Sequence, residues 1–300
     1  MKKTNLTAFT IAGLLLISGC HRSDTPQVIA SSFIAYDLLR AVAGETLTYE
    51  MIISPGIDFH SYNPTPRDIE KINNAELFIY TSNVIETWAK NANTNSTRVL
   101  NLGDSIPGAN DVVNDENTDH AHSATHYWTS PANIKTVIAS IQTSLSTIDK
   151  ENEAVFMTNA NNYIEQIETV SEEFLTKPLQ FDQPIFYVGH NALDAFADYF
   201  NLNIITLVEG IRPDHDVTGN ELRKIITAIK NANVHYLFTE ELSSSNFSST
   251  IIKELARDNY SLTIYELHGY HNLTATDFNA GVTYYDLLVR NLTYLTEALA

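Results

Sequence analysis

The sequence predicts a two-lobed α/β protein in which each lobe is a mostly parallel sheet flanked by helices and a long rigid helix joins the two. Three observations predict it. Short apolar runs alternate with amphipathic stretches of helical period, the order that parallel βαβ units require. The same order recurs in both halves of the chain. Between the halves, residues 131–175 contain no Gly, and no Pro after Pro131.

The amino terminus comes first. Lys2 and Lys3 precede a short apolar run and the sequence Leu16-Ile17-Ser18-Gly19-Cys20. The run falls short of the roughly 20 residues a spanning helix needs, so residues 1–19 are expected to be a signal peptide. Small residues directly before Cys20 resemble a lipobox, which implies cleavage there, lipidation of Cys20 and a tether over 20–26. Cys20 is the one cysteine of the chain. It leaves no intramolecular disulfide and no thiolate metal site, so any chemistry must come from His, Asp and Glu. Losing residues 1–19 removes two lysines and no acid, taking the formal charge from -18 to -20. A surface this acidic argues against nucleic acid as a partner, because phosphate binding needs clustered Lys and Arg. It suits a cation.

About 280 residues then remain, more than one core ordinarily supports. The first lobe is expected over 27–145, with strands at 27–31, 48–53 and 76–80 and helices at 33–43 and 66–74. It includes an acidic, Asn-rich loop at 103–125 that carries His120 and His122. Two consecutive helices are expected within 131–175, where Val155, Tyr163, Ile167, Val170 and Phe174 fall mostly at helical spacing. The second helix is long enough to bridge the lobes, giving a linker over 146–178, and a helix is stiff where a Gly/Ser linker is not. The second lobe, 179–300, carries strands at 184–188, 204–208, 235–239 and 261–267, with helices at 192–200, 219–231 and 248–258.

Four of the ten histidines stand out by position. His60, His190 and His268 each follow the carboxyl end of a predicted strand, where open parallel sheets place their ligands. His126 precedes the helix that begins near Pro131. Two lie in each half, and a cleft between the lobes is the simplest geometry that unites them. A single such His is most often structural; several at one topological edge, in a chain without thiolates to offer, point to a metal. Neutral imidazole is the commonest zinc ligand and also suits copper, nickel and iron.

The segment Asp58-Phe-His60-Ser-Tyr62-Asn-Pro-Thr-Pro-Arg-Asp68 is similar to a signature of the metal-specific solute-binding lipoproteins of ABC transporters, the ZnuA/TroA-like family. Further resemblances lie at Asn73 to Leu77 with Glu86-Thr-Trp88, at His126-Tyr-Trp-Thr-Ser-Pro131, at Gly189-His-Asn-Ala-Leu193 and at Phe238-Thr-Glu240. The resemblance runs through essentially the whole chain in the right order. It implies a metal buried between the lobes with His60, His126 and His190 as ligands, an ABC permease and its ATPase as partners, and no catalysis. The family generally has Asp after its last strand; aligning Glu266-Leu267 puts His268 there, with His271 and Asp277 as alternatives. A site of imidazoles points to zinc, with manganese, which prefers oxygen, as the alternative. Asp58 and Glu240 are candidates to orient the ligands, and His120 and His122 to collect metal from their loop. A zinc hydrolase or an adhesin would be other uses of such a site, but no HExxH-like motif is present, and no phosphate-binding glycine motif places the ATPase on this chain.

Overall fold

The computed structural model describes residues 26–92, 98–111, 125–207, 218–242 and 246–300. The leader, Cys20, His120 and His122 lie outside these. Among the described residues no helix is long and apolar enough to cross a membrane.

Two four-stranded parallel sheets form the frame. In the first, β1 (Val28–Ala30), β2 (Tyr49–Met51), β3 (Leu77–Tyr80) and β4 (Arg98–Asn101) lie in the order β2-β1-β3-β4. Ile29 stands opposite Glu50 on one side and Phe78 on the other. In the second, β5 (Pro184–Val188), β6 (Asn203–Thr206), β7 (Tyr236–Thr239) and β8 (Thr263–Glu266) take the corresponding order, β6-β5-β7-β8. Each sheet therefore reverses direction beside its first strand, and the crevice at the strand carboxyl ends of such a switch point is where this architecture holds ligands. The edge strand β4 is not foreseen in the sequence, because Arg98 and Val99 are exposed and give no alternating apolar pattern.

Helices α1 (Phe33–Ala43) and α2 (Pro66–Asn74) belong to the first lobe. The Pro-Thr-Pro-Arg-Asp stretch has a local physical purpose. Thr65 caps α2 by accepting the Asp68 N–H, Asp68 caps back onto the Thr65 N–H, and Pro66 occupies the first helical position. Asp68 Oδ2 also accepts the Tyr62 hydroxyl at 2.7 Å, which fixes the segment leading from His60 into the helix.

Helices α3 (Pro131–Ile148) and α4 (Glu153–Leu175) follow, and α4 is the bridge. Near its start Asn159 donates to the Val42 carbonyl of α1 at 3.0 Å. Near its end Phe174 packs edge-on against Phe181 and Phe200 of the second lobe, with ring centres 5.5 and 5.3 Å apart. The second lobe contains α5 (Asp194–Phe200), α6 (Gly219–Ala232), α7 (Asn246–Ala256), the short α8 (Ala275–Asn279) and α9 (Tyr284–Leu299). The last two are not anticipated in the sequence reading. Helix α9 starts with a capping box between Thr283 and Asp286, and it packs on α4, α1 and β8. Buried Asp37 of α1 joins this contact by pairing with Arg40 and accepting the Tyr284 N–H at 2.7 Å.

Buried Glu86 sits at the carboxyl edge of the first sheet, where its Oε2 accepts the N–H of Thr81 at 2.6 Å and of Ser82 at 3.3 Å. Burial pushes its carboxyl up to about 7, against hydrogen bonds from Ser31, Thr81 and Ser82 that favour the anion. A raised folded-state value means that the folded chain holds this proton more tightly than the unfolded one. The contribution is thus fully present below about 4.5 and is lost as pH rises to about 7, up to about 3 kcal/mol. Glu86→Gln keeps the neutral form at every pH. Its stability relative to the parent is expected to grow between pH 5 and 8 in urea titrations; a constant difference across that range would show that Glu86 does not titrate there.

Candidate metal centre

Four imidazoles converge where the carboxyl edges of the two sheets face each other. His60 lies in the loop between β2 and α2, His126 at the turn Tyr127–Thr129 ahead of α3, His190 just past β5 and His271 beyond β8. One ligand atom from each lies within 4.8 Å of all the others. The six distances between ring centres are 5.5 (60–126), 5.4 (60–190), 5.4 (60–271), 5.1 (126–190), 5.3 (126–271) and 4.7 Å (190–271). Six near-equal edges define a tetrahedron. With metal–nitrogen bonds of about 2.0–2.1 Å, the ring centres of a tetrahedral four-imidazole shell stand about 5.2 Å apart. The cage therefore has the size of a zinc-type shell.

Each imidazole is set by its local chain. Asp58 Oδ1 accepts the His60 backbone N–H at 3.0 Å, so this carboxylate shapes the turn rather than bonding the ring. Gly189 precedes His190 because a Cβ there would come within 2.4 Å of the Tyr187 ring. Glu240, just past β7, accepts the His190 backbone N–H through Oε2 at 3.1 Å, which brings its Oε1 to 2.5 Å from the ring Nδ1. Glu241 holds His271 by both ring and backbone, with Oε1 hydrogen-bonded to Nδ1 at 3.0 Å and accepting the backbone N–H at 3.1 Å, while Oε2 accepts the Gly269 N–H at 2.8 Å. The Glu241 carboxylate hydrogen-bonded at the His271 Nδ1 selects the tautomer whose Nε2 carries a lone pair. The Nε2 atoms of His60, His190 and His271 are buried without a hydrogen-bond partner in the protein, which is costly for a polar atom unless something else binds it.

The electrostatics agree with a cation site. Burial, followed by the nearness of His271 and His190, holds the His60 imidazole far below its usual value and hence neutral. For His271 burial acts downward too, but the hydrogen bond and charge of Glu241, with Glu240 and Asp58 behind it, outweigh burial and raise it. Burial pushes the Glu241 carboxyl up, yet His268, His271 and the Gly269 N–H prevail and hold it well below the carboxylate range. The buried carboxylates of Glu240 and Glu241, set behind His190 and His271, would balance the charge of a divalent ion in the cage.

His268, placed in the shell by the Glu266-Leu267 alignment, is not part of this group. Its Nδ1 accepts the Tyr270 N–H at 2.8 Å, and its backbone N–H and carbonyl are both held by Asn291 of α9 at 2.9 Å. Burial outweighs the attraction of Glu241 and lowers its imidazole to about 4. The reason lies in the turn that follows. Tyr270 adopts φ 63°, left-handed for a residue with a side chain, and this reverses the chain so that His271 enters the cage while His268 supports the bend from below. Gly269 makes room, since a Cβ there would meet the His271 ring at 2.5 Å. Asp277 is occupied in capping α8, exchanging hydrogen bonds with Thr274 on an exposed turn. Glu241 and Asn291 escape the sequence reading. The first had a signal in its position, beside Glu240 at the end of β7; the second, a lone Asn on a helix, had none.

Fold and cage together define a two-lobed α/β protein of the solute-binding type, with a four-imidazole cage of the size a metal ion needs in its cleft. The chain belongs to the family described as zinc-uptake complex component A, periplasmic, which matches residues 28–298. Among curated relatives it is 25% identical to the zinc-binding lipoprotein AdcA of Streptococcus pneumoniae, over 99% of this chain and 61% of that protein. It is 23% identical to the high-affinity zinc uptake system protein ZnuA of Bacillus subtilis, over 97% of this chain and 96% of that one. The chain thus spans about six-tenths of the AdcA length. Among solved structures, the Zn(II)-bound ZnuA-like domain of S. pneumoniae AdcA superposes with a TM-score of 0.74 at 22% identity, covering 92% of this chain and 99% of that one. The metal-dependent lipoprotein YcdH of B. subtilis gives 0.76 at 23% identity, covering 91% and 98%. At these identities the superpositions establish the two-lobed fold.

Proposed function

We propose that this chain captures a single Zn²⁺ ion outside the cytoplasm and hands it to an ABC permease driven by a separate ATPase. The observation that carries the reading is the tetrahedron of His60, His126, His190 and His271, matched in size to zinc–imidazole bonds. Four nitrogen donors suit zinc, whereas manganese prefers oxygen. Lipidated Cys20 would tether the chain to a bacterial membrane, in keeping with relatives named as lipoproteins. A shell closed by four protein ligands stores an ion; hydrolysis needs an open position for water.

The test is calorimetry on the mature chain with zinc, manganese and copper in competition, supported by thermal melts. Binding to the folded state alone adds stability: at 100 times Kd the gain is about 2.7 kcal/mol, or roughly 5 °C in midpoint for a chain of this size. Zinc at a stoichiometry of one, with a melt shift of that order, is the expected result. The absence of a tight site, or manganese binding more tightly than zinc, would overturn the reading.

A further inference from the structure

The turn that carries His271 is gripped from both lobes. On its own side Glu241 takes the N–H groups of Gly269 and His271. From the first lobe the indole Nε1–H of Trp128 donates to the Gly269 carbonyl at 3.0 Å. In the other direction the Asn272 side-chain amide reaches into the first lobe and donates to the carbonyls of Ser54, at 3.3 Å, and Ile57. Its Oδ1 is used at home, accepting the Leu273 N–H at 2.7 Å. Trp128 and Asn272 are both buried, and the rings of Phe59 and Trp128 flank His271 with centres 5.6 and 5.8 Å away.

We infer that Trp128 and Asn272 are positioning residues that clasp the His271 turn to the first lobe and thereby control how fast the ion leaves. The inference rests on the zinc-binding reading above. Neither residue is a candidate ligand. An indole N–H has no lone pair to offer, and both ends of the Asn272 amide are committed to protein groups. The bonds they make contain no metal-dependent partner, so they persist whatever occupies the cage. Parting the lobes along the cleft must break them. With the clasp intact, His271 stays beside His60 and His126, and an ion that loses His190 is still held by three imidazoles. Without it, the second lobe carries off His190 and His271 together and leaves two. Retention should therefore depend on the clasp more than capture does, in line with the general rule that changes to an interface fall mainly on the off-rate.

Zinc release from the mature chain into excess EDTA, and zinc uptake, can be followed by stopped flow for Asn272→Ala and for Trp128→Phe, which keeps an aromatic ring and loses the donor. Release is expected to accelerate at least about tenfold in each, with uptake within about twofold of the parent. Unchanged release in both variants, or uptake altered as much as release, would overturn the inference. Hydrogen exchange on the unsubstituted chain gives a second reading that needs no variant. The Trp128 indole N–H, which donates across the cleft to the Gly269 carbonyl, should by NMR be protected both without zinc and with it; protection that appears only on adding zinc would mean that the ion, not the clasp, holds the turn. Should the parent bind no zinc at all, the functional reading fails, and exchange in the metal-free chain still decides whether the clasp exists.

Discussion

His271→Ala is expected to weaken zinc binding by more than about 100-fold, past the 10–100-fold typical of groups that only orient a ligand. His268→Ala should fall inside that lower range. The two residues are three positions apart and have the same side chain, so the contrast isolates geometry from chemistry. Alanine at 271 opens one corner of the tetrahedron whose edges are 4.7 to 5.5 Å, and it leaves Glu241 buried without the imidazole it faces. Alanine at 268 removes the acceptor for the Tyr270 N–H and loosens the left-handed turn, but Asn291 still holds the residue's backbone on both sides. Its cost should appear chiefly as lower stability of the metal-free chain. His60→Ala, His126→Ala and His190→Ala should behave like His271→Ala. Competition calorimetry against a chelator of known affinity measures all five. A larger loss at 268 than at 271 would return the fourth corner to His268.

The reason the alignment pointed to His268 shows what the sequence could and could not carry. Strand and helix periods located β1, β5, α1 and α2 closely, and two helices within 131–175 though not the break between them after Ile148, because burial on a sheet or helix face repeats along the chain and leaves a pattern. They also located His60 and His190 at strand ends and His126 before a helix, which is enough to see a site at the facing edges of two sheets. What remained hidden depends on turns and on single contacts. The reversal at Tyr270 is a backbone conformation that neither composition nor period encodes, and its only trace was Gly269, needed for the ring that folds back over it. Strand β4 is a partly exposed edge without alternation. Helix α9 carried an ordinary capping box, Thr283 with Asp286, but nothing in that box announces that Asn291, two turns further on, supports the turn leading to His271 from beneath. The role of Asp58 followed the same logic: a carboxylate two residues from His60 has the backbone N–H closer at hand than the ring, and it took the N–H.

His271→Glu tests whether the four-nitrogen shell sets the choice of metal. The longer acid reaches nearly as far as an imidazole and replaces one nitrogen donor by oxygen, so the zinc-to-manganese affinity ratio should fall by at least about tenfold, with zinc still the tighter of the two because its intrinsic affinity is higher. A second consequence follows from Glu241. In the parent its carboxylate faces the His271 ring at 3.0 Å and is held low by its histidine neighbours and the Gly269 N–H. In the variant it faces another carboxylate in a buried site, and two like charges there cannot both ionise without cost. The metal-free variant should accordingly melt below the parent, and manganese should raise its midpoint by more than it raises the parent's. Melts in chelator, zinc and manganese, alongside competition calorimetry, read both effects. An unchanged zinc-to-manganese ratio would mean that selectivity comes from the shape of the cage rather than from its donor atoms, and a metal-free midpoint equal to the parent's would mean that Glu241 does not face residue 271 closely enough to feel its charge.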